Sequence, residues 1–171
     1  MPDEQDPLPI TDAPGDPDSE RPDPWIGQTL AGYTILEKIG EGGMGVVYLA
    51  KDRSLDRPAA VKFLATHLAD NPDFIELFLR EARAAAQLNH PNLVAVYDAG
   101  CKGEDVYFLI MEYVEGLDLE SLLDEAGVFP AQTAAGYIRQ AALGLGYAHR
   151  KNLVHRDVKP DNLMLTSDGG I

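Results

Sequence analysis

The sequence predicts an α+β fold: a five-stranded antiparallel sheet carrying one helix, followed by a helical part. Three observations point there. Up to Val114, short runs rich in β-branched and aromatic residues alternate with turn residues. Past Gly116, apolar residues recur instead at helical spacing. Of the 171 residues, 45% are hydrophobic, enough for a real core in one ordinary domain or two small ones.

Residues 1–24 stand outside this pattern. They hold eight acidic residues, one basic residue and seven prolines. Like charges repel and proline removes backbone donors, so this segment is expected to be a disordered acidic tail that cannot fold alone. Folded sequence is expected from Trp25. Tyr33–Ile39 and Val46–Ala50 read as strands flanking a glycine cluster, and Ala59–Leu64 as a third strand after the Arg57-Pro58 turn. Asn71-Pro72-Asp73 has an N-cap and first-turn pattern, starting a helix that runs to about Leu88 and ends before Asn89-His90-Pro91. Leu93–Tyr97 and Val106–Tyr113 read as the last two strands, with a turn at Gly103-Glu104-Asp105 between them. Leu119–Glu125 and an amphipathic stretch from Ala131 to His149 read as helices. The chain thus divides into a tail (1–24), a sheet unit (25–114) and a helical unit (115–171).

Composition excludes several function classes. With 14 Lys+Arg against 28 Asp+Glu the formal net charge is −14, which repels nucleic acid and anionic membranes. The lone Cys101 excludes an internal disulfide framework, and with four scattered histidines it leaves no metal cluster of the usual spacing. The longest apolar run, Val106–Met111, is too short to span a bilayer. The N-terminus is acidic and lacks the apolar stretch of a signal peptide. A cytoplasmic protein with no membrane segment over these residues is expected.

Three motifs carry chemistry. Gly40-Glu41-Gly42-Gly43-Met44-Gly45-Val46-Val47 fits G-x-G-x-x-G-x-V. Glycines also serve tight turns, and a dinucleotide fingerprint would need a helix after the loop. Here Val46-Val47-Tyr48-Leu49 follows, so the loop joins two strands, where bare backbone N–H groups can lie over a phosphate chain. Lys62 lies in the mostly apolar strand Ala59-Ala60-Val61-Lys62-Phe63-Leu64. It is either an exposed edge lysine or a half-buried cation in need of a partner. The next helix offers one, because Glu81 falls on the stripe of Phe74, Leu77, Phe78, Ala85 and Leu88. Last, His155-Arg156-Asp157-Val158-Lys159-Pro160-Asp161-Asn162 reads as a polar loop after the long helix. Asp157 could accept a hydroxyl proton, Lys159 could steady a transferring phosphoryl group and Asn162 could bind a metal ion.

In this order the motifs resemble those of protein kinases, specifically the bacterial eukaryotic-like (Hanks-type) serine/threonine kinases. The resemblance covers about residues 30–171. Phe78-Leu79-Arg80-Glu81-Ala82 and Leu88-Asn89-His90-Pro91-Asn92 also look like bacterial members, and Lys159 resembles the serine/threonine branch. The resemblance implies a protein-kinase-like fold with a complete N-lobe and the first part of a C-lobe. It implies ATP and Mg²⁺ as cofactors and protein substrates bearing Ser or Thr hydroxyls. Ile39, Gly40, Glu41, Gly42, Gly43, Met44, Gly45, Val46 and Val47 would cover the nucleotide. Lys62, paired to Glu81, would contact the α- and β-phosphates, Ala60 and Val47 would line the adenine pocket, Met111 matches the gatekeeper, and Glu112-Tyr113-Val114 match the hinge whose backbone reads adenine. Asp157 would be the catalytic base, Lys159 would stabilise γ-phosphate charge and Asn162 would hold one Mg²⁺. The sequence reaches Ile171 before an Asp-Phe-Gly motif appears, so an N-terminal kinase fragment, inactive alone, is expected. A non-catalytic nucleotide-binding or decoy module is the alternative.

Overall fold

The computed structural model describes residues 23–103 and 105–171. The expected disorder of residues 1–22 lies outside the described residues. Asp23 and Pro24, assigned by the sequence to the tail, are bonded to the folded unit: Tyr48 Oη donates to Asp23 Oδ2 at 2.8 Å and Gln28 Nε2 to the Pro24 carbonyl at 2.6 Å.

The sheet has six strands rather than five, all antiparallel, in the order β1-β2-β3-β4-β6-β5. Its members are β1 (Thr29–Leu30), β2 (Tyr33–Gly42), β3 (Gly45–Asp52), β4 (Pro58–Leu64), β5 (Val96–Lys102) and β6 (Val106–Glu112). The added member, β1, is a two-residue strand, too short for any periodicity to show. Strand β5 begins three residues later than the sequence suggests. Leu93 N instead donates to the His90 carbonyl at 3.0 Å, so the His90-Pro91 turn holds Leu93 off the sheet.

Side chains alternate between the two faces of each strand. Ile35, Tyr48, Ala50, Ala59, Val61, Phe63, Phe108 and Ile110 form one buried cluster on the outer face. Trp25 closes it, its ring stacked on Phe63 at 4.3 Å. The ammonium of Lys102 lies 5.1 Å from the Trp25 ring centre and donates to Gln28 Oε1 at 2.7 Å.

After a short turn of helix, α1 (Thr66–Ala69), the main helix of this unit is α2 (Pro72–Ala85). Asn71 caps it, accepting from Asp73 N at 3.0 Å, with Pro72 in the first turn. It ends at Ala85, not at Leu88. The rest of the chain forms β7 (Gly116–Asp118), α3 (Leu119–Ala126), α4 (Ala131–Arg150), a 3₁₀ turn at Pro160–Asn162 and β8 (Met164–Thr166). Asp118 caps α3, accepting from Ser121 N at 2.8 Å. Strands β7 and β8 pair antiparallel, which brings the segment after β6 against the segment after the polar loop. No helix among the described residues is long and apolar enough to cross a membrane.

Candidate functional site

The inner face of the sheet holds four of the residues that the sequence picks out. In register across the ladder, Gly40 faces Val47, Val47 faces Lys62 and Lys62 faces Leu109, while Leu49, Ala60 and Met111 form the next row. Directly opposed residues share a face. Val47, Ala60, Lys62 and Met111 therefore lie on one surface, opposite to the Trp25-capped core.

The glycine cluster closes a hairpin. Gly42 pairs with Gly45, and Gly43-Met44 form the turn. Gly45 has φ of +136°, and a Cβ there would stand 1.8 Å from the Phe63 carbonyl oxygen, so only glycine fits. Gly42 and Gly43 have open space where a side chain would be. Lys38 pairs with Glu41 beside them, and Ile39 and Met44 are exposed. At the far end of the sheet the ladder stops at Glu112, whose N–H donates to the Ala95 carbonyl at 2.8 Å and whose Oε2 accepts from Ala95 N at 3.1 Å. Tyr113 and Val114 follow outside any strand.

The loop after α4 folds over itself. Asn162 Nδ2 donates to Asp157 Oδ2 at 3.0 Å and to the Asp157 carbonyl at 2.8 Å. Asp157 N donates to His155 Nδ1 at 3.4 Å. Lys159 Nζ lies 2.7 Å from Asp161 Oδ2 and 4.0 Å from Asp157 Oδ2. The Asp161 contact, then the charge of Asp157, holds the Lys159 ammonium above its ordinary pKa. Asp161 was not singled out by the sequence. It sits two residues from Lys159 in the same loop, which was the only signal available.

Sheet and loop meet electrostatically. Burial pushes the Lys62 ammonium below its ordinary pKa, Asp157 opposes that shift and Lys159 adds to it. Lys62 thus senses both charged groups of the loop across the cleft. Behind Met111 a cavity of about 270 Å³ is lined by Ala85, Leu88, Leu145, Val158 and Asn162, among others. It joins the end of α2, helix α4 and the loop. Beside it α4 approaches Asn92 closely: a Cβ at Gly144 would stand 2.4 Å from the Asn92 carbonyl oxygen.

One expected contact is not formed. Lys62 and Glu81 make no ion pair; Glu81 Oε1 lies 3.7 Å from Arg156 Nη1 instead. The reason is the phase of α2. Its one buried residue is Ala82, and successive helical residues are turned by about 100°, so Glu81 faces outward with its side chain 55% exposed. Sequence reasoning missed Arg156 as a partner, and an exposed arginine five elements further along the chain gives no local signal. Gly116 was also missed as a close-approach site. A Cβ there would stand 2.1 Å from the Leu165 carbonyl oxygen, so β7 can reach β8 only with glycine.

Comparison with known proteins supplies a context for this geometry. The family model described as protein kinase domain matches residues 33–171. Serine/threonine-protein kinase PrkC of Bacillus subtilis is 42% identical over 147 residues, spanning 85% of this chain and 22% of the relative. Serine/threonine-protein kinase PknL of Mycobacterium tuberculosis is 44% identical over 139 residues, spanning 81% of this chain and 35% of the relative. The crystal structure of the M. tuberculosis PknI kinase domain superposes with a TM-score of 0.78 at 34% identity, covering 84% of this chain and 57% of that one. The chain thus spans between a fifth and about a third of these curated relatives.

Proposed function

Since the chain belongs to the protein kinase family, we propose that it works as an ATP-dependent serine/threonine kinase, moving the γ-phosphoryl group of Mg-ATP to a protein hydroxyl. One arrangement carries this reading: a half-buried lysine from the sheet lies within electrostatic reach of Asp157 and Lys159 from the distant loop. Relatives named as serine/threonine-protein kinases support it.

The residues present fit the nucleotide and its metal. The open backbone of Gly42 and Gly43 suits a phosphate chain, and Lys62, which forms no ion pair among the described residues, offers it a cation. Ile39, Val47, Ala60 and Met111 would bound the adenine, with main-chain groups of Glu112 to Val114 reading its edge. Asn162 spends Nδ2 on Asp157, which leaves its Oδ1 as an acceptor toward Mg²⁺. The metal, when bound, neutralises charge that develops on the phosphates.

In the transfer itself, Asp157 would take the proton of the acceptor hydroxyl as that oxygen attacks the γ-phosphorus and the bond to the bridging oxygen breaks. The amide of Asn162 holds the Asp157 carboxylate in place for this. Lys159 lies within 4.0 Å of the same carboxylate and would face the charge spread over the γ-phosphoryl oxygens. Mg-ATP is an intracellular substrate, and Cys101 is free and exposed, which supports a cytoplasmic location.

The test is phosphate transfer from labelled ATP to a generic basic protein by the full-length chain. Asp157→Asn should keep nucleotide affinity and lose about a hundredfold or more in rate, the usual weight of a general base. Tight nucleotide binding without Asp157-dependent transfer would select the decoy reading instead. Residues 1–171 taken alone contain no Asp-Phe-Gly carboxylate to share the metal with Asn162. We expect that polypeptide to transfer phosphate at least a thousandfold more slowly than one extended through such a motif, because metal stabilisation is worth several kcal/mol.

A further inference from the structure

The glycine hairpin has a second neighbour, on the side of the sheet away from the site. The segment from Asp23 to Gln28 straps the outer face behind it. The Trp25 ring lies on Phe63, with 4.3 Å between centroids and 25° between planes, and Tyr48 meets the same Phe63 ring edge-on at 5.6 Å. Asp23 ties the two together: its Oδ1 accepts from Trp25 N at 2.9 Å and its Oδ2 from the hydroxyl of the buried Tyr48 at 2.8 Å. The other end of the strap is fixed to β2, where Gly27 N donates to the Ile35 carbonyl at 2.8 Å and Ile35 N to the Gln28 carbonyl at 2.9 Å. Phe63 and Tyr48 are also where the hairpin stands. The Phe63 carbonyl oxygen is the atom that a Cβ on Gly45 would strike, at 1.8 Å, so the hairpin's second arm rests on that peptide. Ala65 N, two residues on, donates to the Met44 carbonyl in the turn at 3.1 Å. Tyr48 pairs with Lys38 across the ladder, and Lys38 holds Glu41, which lies between the first two glycines.

We propose that Trp25 and Asp23 are positioning residues for the phosphate-binding hairpin, setting its shape through Phe63 and Tyr48 from the opposite face of the sheet. Trp25 covers the ring whose own peptide seats Gly45, and Asp23 holds Tyr48 at the hairpin's base. The bare N–H groups of Gly42 and Gly43 bind phosphates best when their directions are set beforehand, because ordering them on binding costs affinity. An anchored strap orders them in advance. The coupling is reciprocal by thermodynamic necessity, so phosphates held by the hairpin also tighten the strap. Ala60 and Met111, which would bound the adenine, stand in the next row of the ladder and not on the hairpin. The effect is therefore selective: the strap governs affinity for the phosphate chain and leaves affinity for adenosine alone. That selectivity rests on reading the hairpin as the nucleotide's, but the link between strap and hairpin does not.

The experiment uses the full-length chain at a temperature where every variant compared is folded, so that a loss of stability alone moves none of the readouts. The first readout is the pair of dissociation constants for a non-hydrolysable ATP analogue with Mg²⁺ and for adenosine. The second is the set of amide NMR signals of Gly42, Gly43 and Gly45 without ligand. The third is the indole N–H signal of Trp25, assigned by its loss in Trp25→Phe. Trp25→Ala should weaken analogue binding about five- to tenfold, at the low end of ordinary coupling, leave adenosine within about twofold and move the three glycine signals. Trp25→Phe, which keeps a ring on Phe63, should bind the analogue within about twofold of wild type. In the wild type the indole signal should move on saturation with the analogue and stay in place with adenosine. Where Trp25→Ala does not fold, Asp23→Ala decides: it keeps the ring and removes both hydrogen bonds, and should show the same pattern at about two- to threefold. Unmoved glycine signals in the folded variant, an equal loss for analogue and adenosine, or an indole signal indifferent to bound analogue would each overturn the proposal. Glycine signals that move in a protein whose wild type binds neither ligand would uphold the link between strap and hairpin and refute the nucleotide reading.

Discussion

Lys62 illustrates how a single residue can serve a site at some expense to the fold. It is a cation in an apolar strand, half-buried and without an ion pair among the described residues. Lys62→Met should therefore leave stability unchanged or raise it by up to about 1 kcal/mol, while analogue binding is lost. The pH dependence has a definite sign. The folded pKa lies below the ordinary 10.5, so between the two values the unfolded chain holds more protons. Wild-type stability should rise with pH across that window relative to Lys62→Met, as paired denaturant titrations would reveal. Gly45 gives the opposite trade. With φ of +136° and the Phe63 carbonyl 1.8 Å from any Cβ, Gly45→Ala should cost about 2–4 kcal/mol in denaturant unfolding. Gly43→Ala meets nothing within 4 Å and should change stability by less than about 0.5 kcal/mol, its effect appearing in nucleotide affinity alone.

At the scale of elements, α4 holds two glycines that should respond to alanine with opposite signs. Gly136→Ala enters open space and should stabilise by about 0.5–1 kcal/mol, the ordinary gain of alanine in a helix. Gly144→Ala should instead destabilise by about 1–3 kcal/mol, since the Asn92 carbonyl at 2.4 Å is backbone and cannot swing aside. Thermal melts of the two variants would show the contrast. The same contact explains where sequence reading succeeded and where it slipped. β2, β3, β4 and β6 were legible because their β-branched and aromatic residues alternate between a core face and a site face. Leu93-Val94 carries the same composition, but its neighbour Asn92 is pressed against α4, so β5 starts at Val96 instead. An apolar stripe about 100° wide cannot resolve a helix phase to one residue, so the stripe that carries Glu81 does not decide whether its carboxylate faces Lys62. The glycine hairpin and the polar loop were legible because each is contiguous in the chain. The β7–β8 pair was not: three residues on each side, 46 positions apart at Asp118–Met164, leave no local trace.

For the whole molecule, the described chain begins at a strap rather than at the first long strand. Asp23 accepts from Tyr48, Trp25 lies on Phe63 and the Lys102 ammonium stands 5.1 Å from the indole ring centre. Removing residues 1–22 should leave analogue affinity within about a factor of two, a change below roughly 0.5 kcal/mol. Extending the cut through Trp25 should lower unfolding stability by about 1–3 kcal/mol, less than a fully buried aromatic because the ring is only partly covered. Comparing the two truncations by calorimetry and by binding separates the tail from the strap. The strap also makes the outer face of β4 a protected interior while its inner face stays open to ligand. A mutational scan of that strand, scored once for cellular abundance and once for catalysis in the protein that survives, should read as a comb. Ala59, Val61 and Phe63 would fail the first assay, and Ala60, Lys62 and Leu64 would pass it and fail the second. Natural variation at neighbouring positions of this strand would then be filtered by different agents, the cell's proteolytic quality control on one and signalling output on the next.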